Sequence, residues 1–272
     1  MRGFLIALLL LIAAASQAAD FEVTSLRGGE YVIAATGEIQ PGDAQQLRDI
    51  FVGKNAFPVA TRINTQGGSL EEAMALGELY RSASLATLAD TGCDTACFLW
   101  LASGASRAAN GDITLDRDAL KQRAVKRYLS DMDVSKATQK SWRKDNATVI
   151  TWASFDQVLG ERPASIKRWL EASCGKQSEA DREKLYALQA ESFLQALQRL
   201  AAKSEDDSKL TPIIERYTEL AAKAEGIDDA GRQALQEQWF KLRACKQSYI
   251  AERQRDALAG LAQRVSADAT KD

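Results

Sequence analysis

Two segments of this sequence carry the residue types of an acyl-transfer site. Ile63–Ser69 joins an apolar strand end to a Gly67-Gly68 turn, and Gly92–Leu101 opens a predicted helix with the Thr95 hydroxyl in its first turn. Such sites activate a Ser or Thr hydroxyl with a neighbouring base, usually histidine, and stabilise the oxyanion with backbone N–H groups. The 272 residues include no histidine. The sequence therefore predicts the hydroxyl and the backbone N–H groups of an acyl-transfer site, but not the histidine that usually serves as its base.

Alternating strand and helix patterns position these two segments. Short β-branched stretches, including Val59–Asn64 and Ser84–Asp90, alternate with amphipathic helix patterns as far as Leu115. Ser69 is placed to cap the helix after the glycine turn, and Glu72 is placed to complete a capping box. The βαβα order predicts an α/β fold with a mostly parallel sheet and flanking helices.

The composition changes near Cys174. Short stretches with frequent glycines precede it, and a sequence rich in Ala, Leu, Gln, Glu, Lys and Arg follows it. This change predicts an all-helical part after the α/β part. We expect an α/β domain over residues 19–173 and a helical module over residues 174–272, following a leader over residues 1–18. The module's helices are predicted to begin near Ser178, Thr211 and Asp228.

The leader has the pattern of a secretory signal. Arg2 supplies a positive charge, Phe4–Ala15 is apolar, and small residues precede a cleavage position before Ala19. The apolar run is shorter than the roughly 18 residues that a membrane span needs, and no later segment approaches that length. We expect a periplasmic or secreted protein with no membrane span after cleavage. An uncleaved anchor is the alternative.

The net charge of the chain limits the classes of partner that we expect it to bind. Lys and Arg number 35 against 37 Asp and Glu, a net charge of −2 spread along the chain. This balance disfavours nucleic acid and acidic membrane surfaces as partners. Scattered aspartates, among them Asp90, Asp94 and Asp112, are interpreted as caps and turn residues rather than metal ligands. No metal or cofactor is predicted.

The four cysteines make an even number, which in an exported chain favours disulfides. Three pairings are possible, and we favour Cys93 with Cys97 and Cys174 with Cys245. A four-cysteine zinc site is the competing interpretation, although the chain lacks a second closely spaced cysteine pair.

Three ordered motifs resemble a group of exported ClpP-like serine hydrolases of bacteria. Asn64–Gly68, Cys93–Cys97 and Ile113–Arg117 are similar to that group's Asn-Ser-Pro-Gly-Gly turn, Cys-x-Ser-Ala-Cys nucleophile segment and Ile-Gly-Ile/Val-His-Arg strand. The resemblance covers the chain from about residue 21 to residue 117. It implies a ClpP/crotonase-like fold, an oxyanion hole at Gly68 and Ala96, and assembly into a homo-oligomer of unspecified size.

The chain departs from this family at the catalytic positions. The family's serine falls on Thr95, its histidine on Asp116 and its motif proline on Gln66. The extra methyl of threonine restricts its rotamers, and a carboxylate of ordinary pKa is a weak base. We therefore expect a catalytically degenerate domain that binds peptide or protein rather than cleaving it.

One active alternative stays open. Signal-peptide-peptidase relatives of this fold use serine with lysine, and Lys121 and Lys126 follow the third motif. A desolvated lysine can serve as a base. Under this alternative the protein is a hydrolase that uses Thr95 with one of these lysines.

The helical part resembles the exported module named for the lysozyme inhibitor LprI. Leu235–Cys245 and Tyr249–Arg253 are similar to that module's Glu-Gln-x-x-Trp-Leu-x-x-Arg-x-x-Cys helix and its Tyr-x-x-Arg continuation, with Cys174 as the upstream cysteine. The resemblance implies a disulfide-clamped module for contact with an envelope protein. Lysozyme is the partner that the family name suggests, so a lysozyme inhibitor acting through this module is a further alternative.

Overall fold

The computed structural model describes residues 19–90, 92–144, 147–151, 154–202 and 211–268. The predicted leader lies outside these residues. The chain divides into two compact units. The first contains the residues up to Ile166 together with those from Arg253 onward, and the second is Lys167–Glu252.

The strands and helices alternate in the first half of the chain, and helices alone follow. The strands are β1 Asp20–Ser25, β2 Tyr31–Ile39, β3 Ala60–Gly68, β4 Ala86–Ala89, β5 Ser106–Ala109, β6 Ile113–Asp116 and β7 Ala147–Ile150. The helices are α1 Asp43–Lys54, α2 Leu70–Ser82, α3 Thr95–Ser103, α4 Arg117–Lys121, α5 Arg123–Asp131, α6 Lys136–Trp142, α7 Phe155–Val158, α8 Ala164–Cys174, α9 Glu179–Ala201, α10 Thr211–Ala222 and α11 Asp229–Asp268.

The main sheet has five strands in the order β1-β2-β3-β4-β5. β1 pairs antiparallel with β2, and the other neighbours are parallel. β6 and β7 form a separate antiparallel pair. The expected α/β class, with a mostly parallel sheet and a C-terminal helical region, is confirmed.

The core of the first unit lies between the sheet and α2 and α3. Every residue of α3 is buried, which fits its almost wholly apolar sequence. Trp100 packs edge-on against Phe21 of β1 and Tyr80 of α2, with ring centroids 6.3 and 5.2 Å away. This burial fixes the N-terminus of α3 relative to the strand ends.

The cap of α2 differs in one respect from the expected capping box. Ser69 Oγ accepts the Glu72 N–H at 3.2 Å, as predicted. The Glu72 carboxylate instead accepts the Ala44 N–H of α1 at 2.7 Å. The first turn of a helix has N–H groups without intrahelical partners, so Glu72 joins two helix N-termini instead of closing its own box.

The stretch after β6 also differs from expectation. The residue pattern of Asp118–Leu129 predicts one helix, but α4 and α5 are separated at Gln122, whose backbone is extended with φ −61° and ψ 136°. The polar stretch that begins at Lys136 contains α6 and β7.

The second unit is held by a disulfide and a small core. Cys174 and Cys245 are bonded across 71 positions of sequence. Arg232 forms an ion pair with Glu191 at 2.5 Å, which links α11 to α9. The apolar core of this unit is made of Ala187, Leu188, Ala224 and Leu235.

Within the described ranges, no helix combines the length and apolar character that a membrane crossing requires.

Gly77 of α2 is expected to be essential to the packing of the first unit. A Cβ at this position would lie 1.6 Å from the Tyr128 hydroxyl, which donates to the Leu99 carbonyl at 2.9 Å. Gly77→Ala should therefore lower the free energy of unfolding by roughly 1–3 kcal/mol, the usual cost of overpacking. Urea denaturation followed by circular dichroism measures the loss.

Gly53 of α1 provides the matched control. A Cβ there meets no atom within 4 Å. Gly53→Ala should leave the stability unchanged or raise it by up to about 1 kcal/mol. Equal losses in the two variants would contradict the packing assigned to Gly77.

Candidate functional site

The ends of β3 and β6 and the first turns of α2, α3 and α4 surround a cleft of about 540 Å³ in the first unit. Its lining includes the glycine turn, the family's nucleophile position and its histidine position. The lining residues are Gly68, Leu70, Asp94, Thr95, Ala96, Thr114, Asp116, Asp118, Ala119 and Gln122. The structure therefore brings together the positions that the three motifs predicted.

The glycine turn is shaped by its contact with β2. Gly67 and Gly68 have φ of 85° and 107°, in the region that favours glycine. A Cβ on Gly68 would lie 2.1 Å from the Ile39 carbonyl oxygen. The same oxygen accepts the Ser69 N–H at 2.7 Å. Position 68 thus requires glycine for both its conformation and its space.

Thr95 is the first residue of α3, and only 5% of its surface is exposed. Its Oγ1 accepts a hydrogen bond from the backbone N–H of Asp116 at 2.8 Å. The hydroxyl oxygen therefore bonds the chain at the end of β6. It contacts a donor, whereas an activated nucleophile needs a neighbouring acceptor for its proton.

The Asp116 side chain serves a different contact. Its carboxylate accepts the Ala119 N–H at 2.7 Å and caps α4. Thr95 and Asp116 are neighbours, as expected, but the hydrogen bond between them comes from the Asp116 backbone. The carboxylate stabilises a helix end rather than polarising the Thr95 hydroxyl.

Neither candidate lysine lines the cleft. Lys121 forms an ion pair with Asp118 at 2.9 Å and is about half exposed. Lys126 is exposed on α5. Neither lysine is therefore among the residues that line the cleft.

Asp94 is the functional residue that sequence reasoning missed. The sequence indicates an N-cap at this position, and Asp94 Oδ1 does accept the Cys97 N–H at 3.0 Å. The sequence does not indicate that Oδ2 approaches the glycine turn, 3.9 Å from the position of a Cβ on Gly67. The Asp94 carboxylate thus lies near the glycine turn as well as at the N-terminus of α3.

The backbone donor at Ala96 is retained. Ala96 is the second residue of α3, so its N–H has no partner within the helix. The positive end of the helix dipole favours an anion here, but the Asp94 carboxylate already supplies one. The first turn of α3 is therefore suited to a neutral acceptor such as a peptide carbonyl more than to a developing oxyanion.

The cysteine pairing is the one favoured from the sequence. Cys93 is bonded to Cys97 and Cys174 to Cys245, and the described residues include no free cysteine for a zinc site. The Cys93 N–H also donates to the Asp112 carbonyl at 3.1 Å, beside β6. The disulfide thus ties the turn before α3 to α3, and the backbone hydrogen bond ties the same turn to the residue before β6. In the described part of the chain, no group of three or more His, Cys, Asp or Glu side chains is placed to hold a metal ion.

No family model matches the sequence, and no curated protein matches it. Among solved structures, the chain is similar to the ClpP protease catalytic domain from Plasmodium falciparum, at 19% identity with a TM-score of 0.38, covering 46% of this chain and 78% of that one. It is similar to an enoyl-CoA hydratase from Mycobacterium smegmatis, at 10% identity and a TM-score of 0.40, covering 80% and 96%. It is also similar to an enoyl-CoA hydratase from Shewanella pealeana, at 10% identity and a TM-score of 0.37, covering 81% and 93%.

Substitution of Thr95 tests its structural role. Thr95→Val keeps the shape of the side chain but leaves the Asp116 N–H without its acceptor. The free energy of unfolding should fall by about 1–3 kcal/mol, the cost of an unpaired polar group. Thr95→Ser retains the acceptor and loses one methyl, so its loss should be about 0.8 kcal/mol. Chemical denaturation measures both, and a valine variant as stable as the serine variant would contradict the assigned role.

Proposed function

We propose that this protein is an exported, non-catalytic member of the ClpP/crotonase-like folds that binds an extended peptide segment in the cleft. The proposal rests on the hydrogen bonds that are made at the family's nucleophile and histidine positions. Thr95 Oγ1 accepts the Asp116 N–H, and the Asp116 carboxylate caps α4. Both groups hold the fold together at the place where a hydrolase needs a nucleophile and a base.

The electrostatics of the cleft support the same proposal. Hydrolysis of an amide develops negative charge that must be stabilised by nearby donors. Asp94 places a carboxylate beside those donors, and, among the described residues, no Lys or Arg side chain lines the cleft to offset it. A neutral peptide carbonyl develops no such charge, so binding meets less repulsion than catalysis.

Strand addition is the binding mode that the sheet favours. β4 pairs with β3 only at Thr61–Ile63, after which the Asp90 N–H donates to the Ile63 carbonyl. On the other side of β3, pairing with β2 continues to Gly68. Among the described residues, the ladder between β3 and β4 ends at Ile63, whereas β3 itself runs on to Gly68. An extended peptide pairs with the end of a strand through main-chain hydrogen bonds.

Two further observations support contact with a protein in an oxidising compartment. All four cysteines are in disulfides, which persist outside the reducing cytosol. The second unit has a cavity of about 520 Å³ between α9 and α11, lined in part by Leu188, Phe193, Trp239 and Phe240. Apolar surface of this kind suits contact with an envelope protein. No contact described in this unit singles out lysozyme.

Reaction with a fluorophosphonate probe tests the loss of catalysis. We expect intact mass spectrometry of the folded protein to show no added probe mass. A Thr95→Ala variant should give the same spectrum, because the wild-type hydroxyl is not activated. Labelling of the wild type that disappears in Thr95→Ala would establish an active Thr95 and overturn the proposal.

Peptide binding in the cleft is tested by a separate measurement. A library of extended peptides, screened by fluorescence polarisation, should yield ligands whose affinity falls at least tenfold in Gly68→Ala. The substitution disturbs the turn that ends β3, since its Cβ meets the Ile39 backbone. Gly53→Ala, which meets open space, is the matched control. Equal affinity in the two folded variants would contradict binding beside the glycine turn.

A further inference from the structure

The first turn of α1 contains a carboxylate that is almost wholly buried. Asp43 is the first residue of this helix, and only 2% of its surface is exposed. Its Oδ2 accepts the Gln40 N–H at 2.7 Å, and a second backbone hydrogen bond comes from Ala19. Both bonds favour the charged carboxylate, but its loss of hydration outweighs them. Burial therefore raises the pKa of the Asp43 carboxyl.

A second carboxylate adds to this unfavourable charge. Glu72 of α2 accepts the Ala44 N–H beside Asp43, and its charge also raises the pKa of Asp43. None of the ion pairs formed by the described residues includes Asp43 or Glu72. Buried carboxylates in proteins are normally paired with a cation. The N-terminus of α1 thus combines two acids and, in the described part of the chain, has no cation to balance them.

Ala19 is the residue at which that cation can arise. Only 3% of its surface is exposed, and it belongs to the same apolar core as Ala44. The next residue, Asp20, begins β1 and pairs with Thr36 of β2, so the sheet holds the Ala19 nitrogen in place. The leader pattern of the sequence puts the cleavage position immediately before Ala19. A buried backbone nitrogen beside an uncompensated carboxylate therefore coincides with the predicted start of the mature chain.

We propose that cleavage before Ala19 creates an α-ammonium that forms a buried ion pair with the Asp43 carboxylate. Water breaks the peptide bond between Ala18 and Ala19: its oxygen joins the Ala18 carbonyl carbon as a carboxylate, and its two protons end on the Ala19 nitrogen. That nitrogen already donates to Asp43 as an amide, so the ion pair requires no movement of the chain. The proposal does not depend on peptide binding in the cleft.

The new charge changes the stability of the N-terminus of α1. An α-ammonium has an ordinary pKa of about 8, so it is charged at neutral pH, and a neighbouring carboxylate favours that charge. It replaces the hydration that Asp43 loses on burial and offsets the charge of Glu72. An unprocessed chain keeps the neutral amide and leaves Asp43 uncompensated. Removal of the leader should therefore stabilise the first unit.

The start of the exported chain is the first measurement. Protein that is expressed with its leader and recovered from the exported fraction should begin at Ala19, as determined by intact mass and N-terminal sequencing. A chain that keeps the leader, or that begins at another residue, overturns the proposal.

Urea denaturation then compares two oxidised chains, one that begins at Ala19 and one that begins at Ser16. The three extra residues leave an amide at Ala19 and carry the ammonium up to about 10 Å further along the chain. The unfolding equilibrium constant of the Ser16 chain should be at least about tenfold higher, because a buried charge without its partner is strongly destabilising. Equal constants for the two chains overturn the proposal.

Asp43→Asn distinguishes the ion pair from a general effect of the N-terminus. In the Ala19 chain this substitution leaves the ammonium without its carboxylate, so the unfolding constant should rise at least about tenfold. In the Ser16 chain it removes an uncompensated buried charge, so the constant should stay the same or fall. Asp49→Asn, at an exposed position of α1, is the matched control and should change either constant by less than about threefold. An equal effect of Asp43→Asn in the two chains contradicts the ion pair.

A carbon-13 NMR titration of the Asp43 carboxyl tests the pair without a substitution. The carboxyl should ionise at a lower pH in the Ala19 chain than in the Ser16 chain, because the adjacent ammonium favours the carboxylate. Glu72, the other acid beside Asp43, is present in both chains and does not account for a difference. Identical titrations in the two folded chains overturn the proposal.

Discussion

The burial of α3 is the constraint on which the first unit depends. This apolar helix is enclosed along its whole length, and Trp100 locks it against the sheet and α2 through aromatic contacts. The Tyr128 hydroxyl of α5 donates a hydrogen bond to the Leu99 carbonyl of α3. Burial also raises the pKa of Tyr128, because the ionised phenolate would lose its hydration there. The N-terminus of α3 is consequently held in one place, at the edge of the cleft.

That N-terminus determines what the cleft can do. Three contacts converge on it: Asp94 accepts the Cys97 N–H, Thr95 Oγ1 accepts the Asp116 N–H at the end of β6, and the Cys93–Cys97 disulfide joins its first turn to the preceding segment. Under the proposed function, the hydrogen bond at Thr95 engages the hydroxyl that a hydrolase would use as its nucleophile. The site then offers a backbone donor at Ala96 and the end of β3 after Ile63, both of which suit a peptide main chain.

The sequence predicts the α/β class, the positions of the glycine turn and the disulfide pairing because these follow from local signals. Strand and helix periods, paired glycines and the close spacing of Cys93 and Cys97 are all visible over short windows, and that close pair leaves Cys174 with Cys245. The direction of the Glu72 carboxylate is not visible in this way. It has a choice between nearby helix N–H groups, and tertiary packing decides that it bonds Ala44 rather than its own helix. The break at Gln122 was missed for the same reason, since the residue has no strong local preference for an extended backbone.

The central claim is that the Thr95 hydroxyl is a structural acceptor, and amide hydrogen exchange at Asp116 tests it most directly. The Asp116 N–H donates to Thr95 Oγ1, so its exchange should be slow in the wild type and in Thr95→Ser. Thr95→Val should lose that protection while the core of α3 keeps its own. Rapid exchange of the Asp116 amide in the folded wild type would contradict the account, because the hydroxyl oxygen would then be free of the contact that removes it from catalysis.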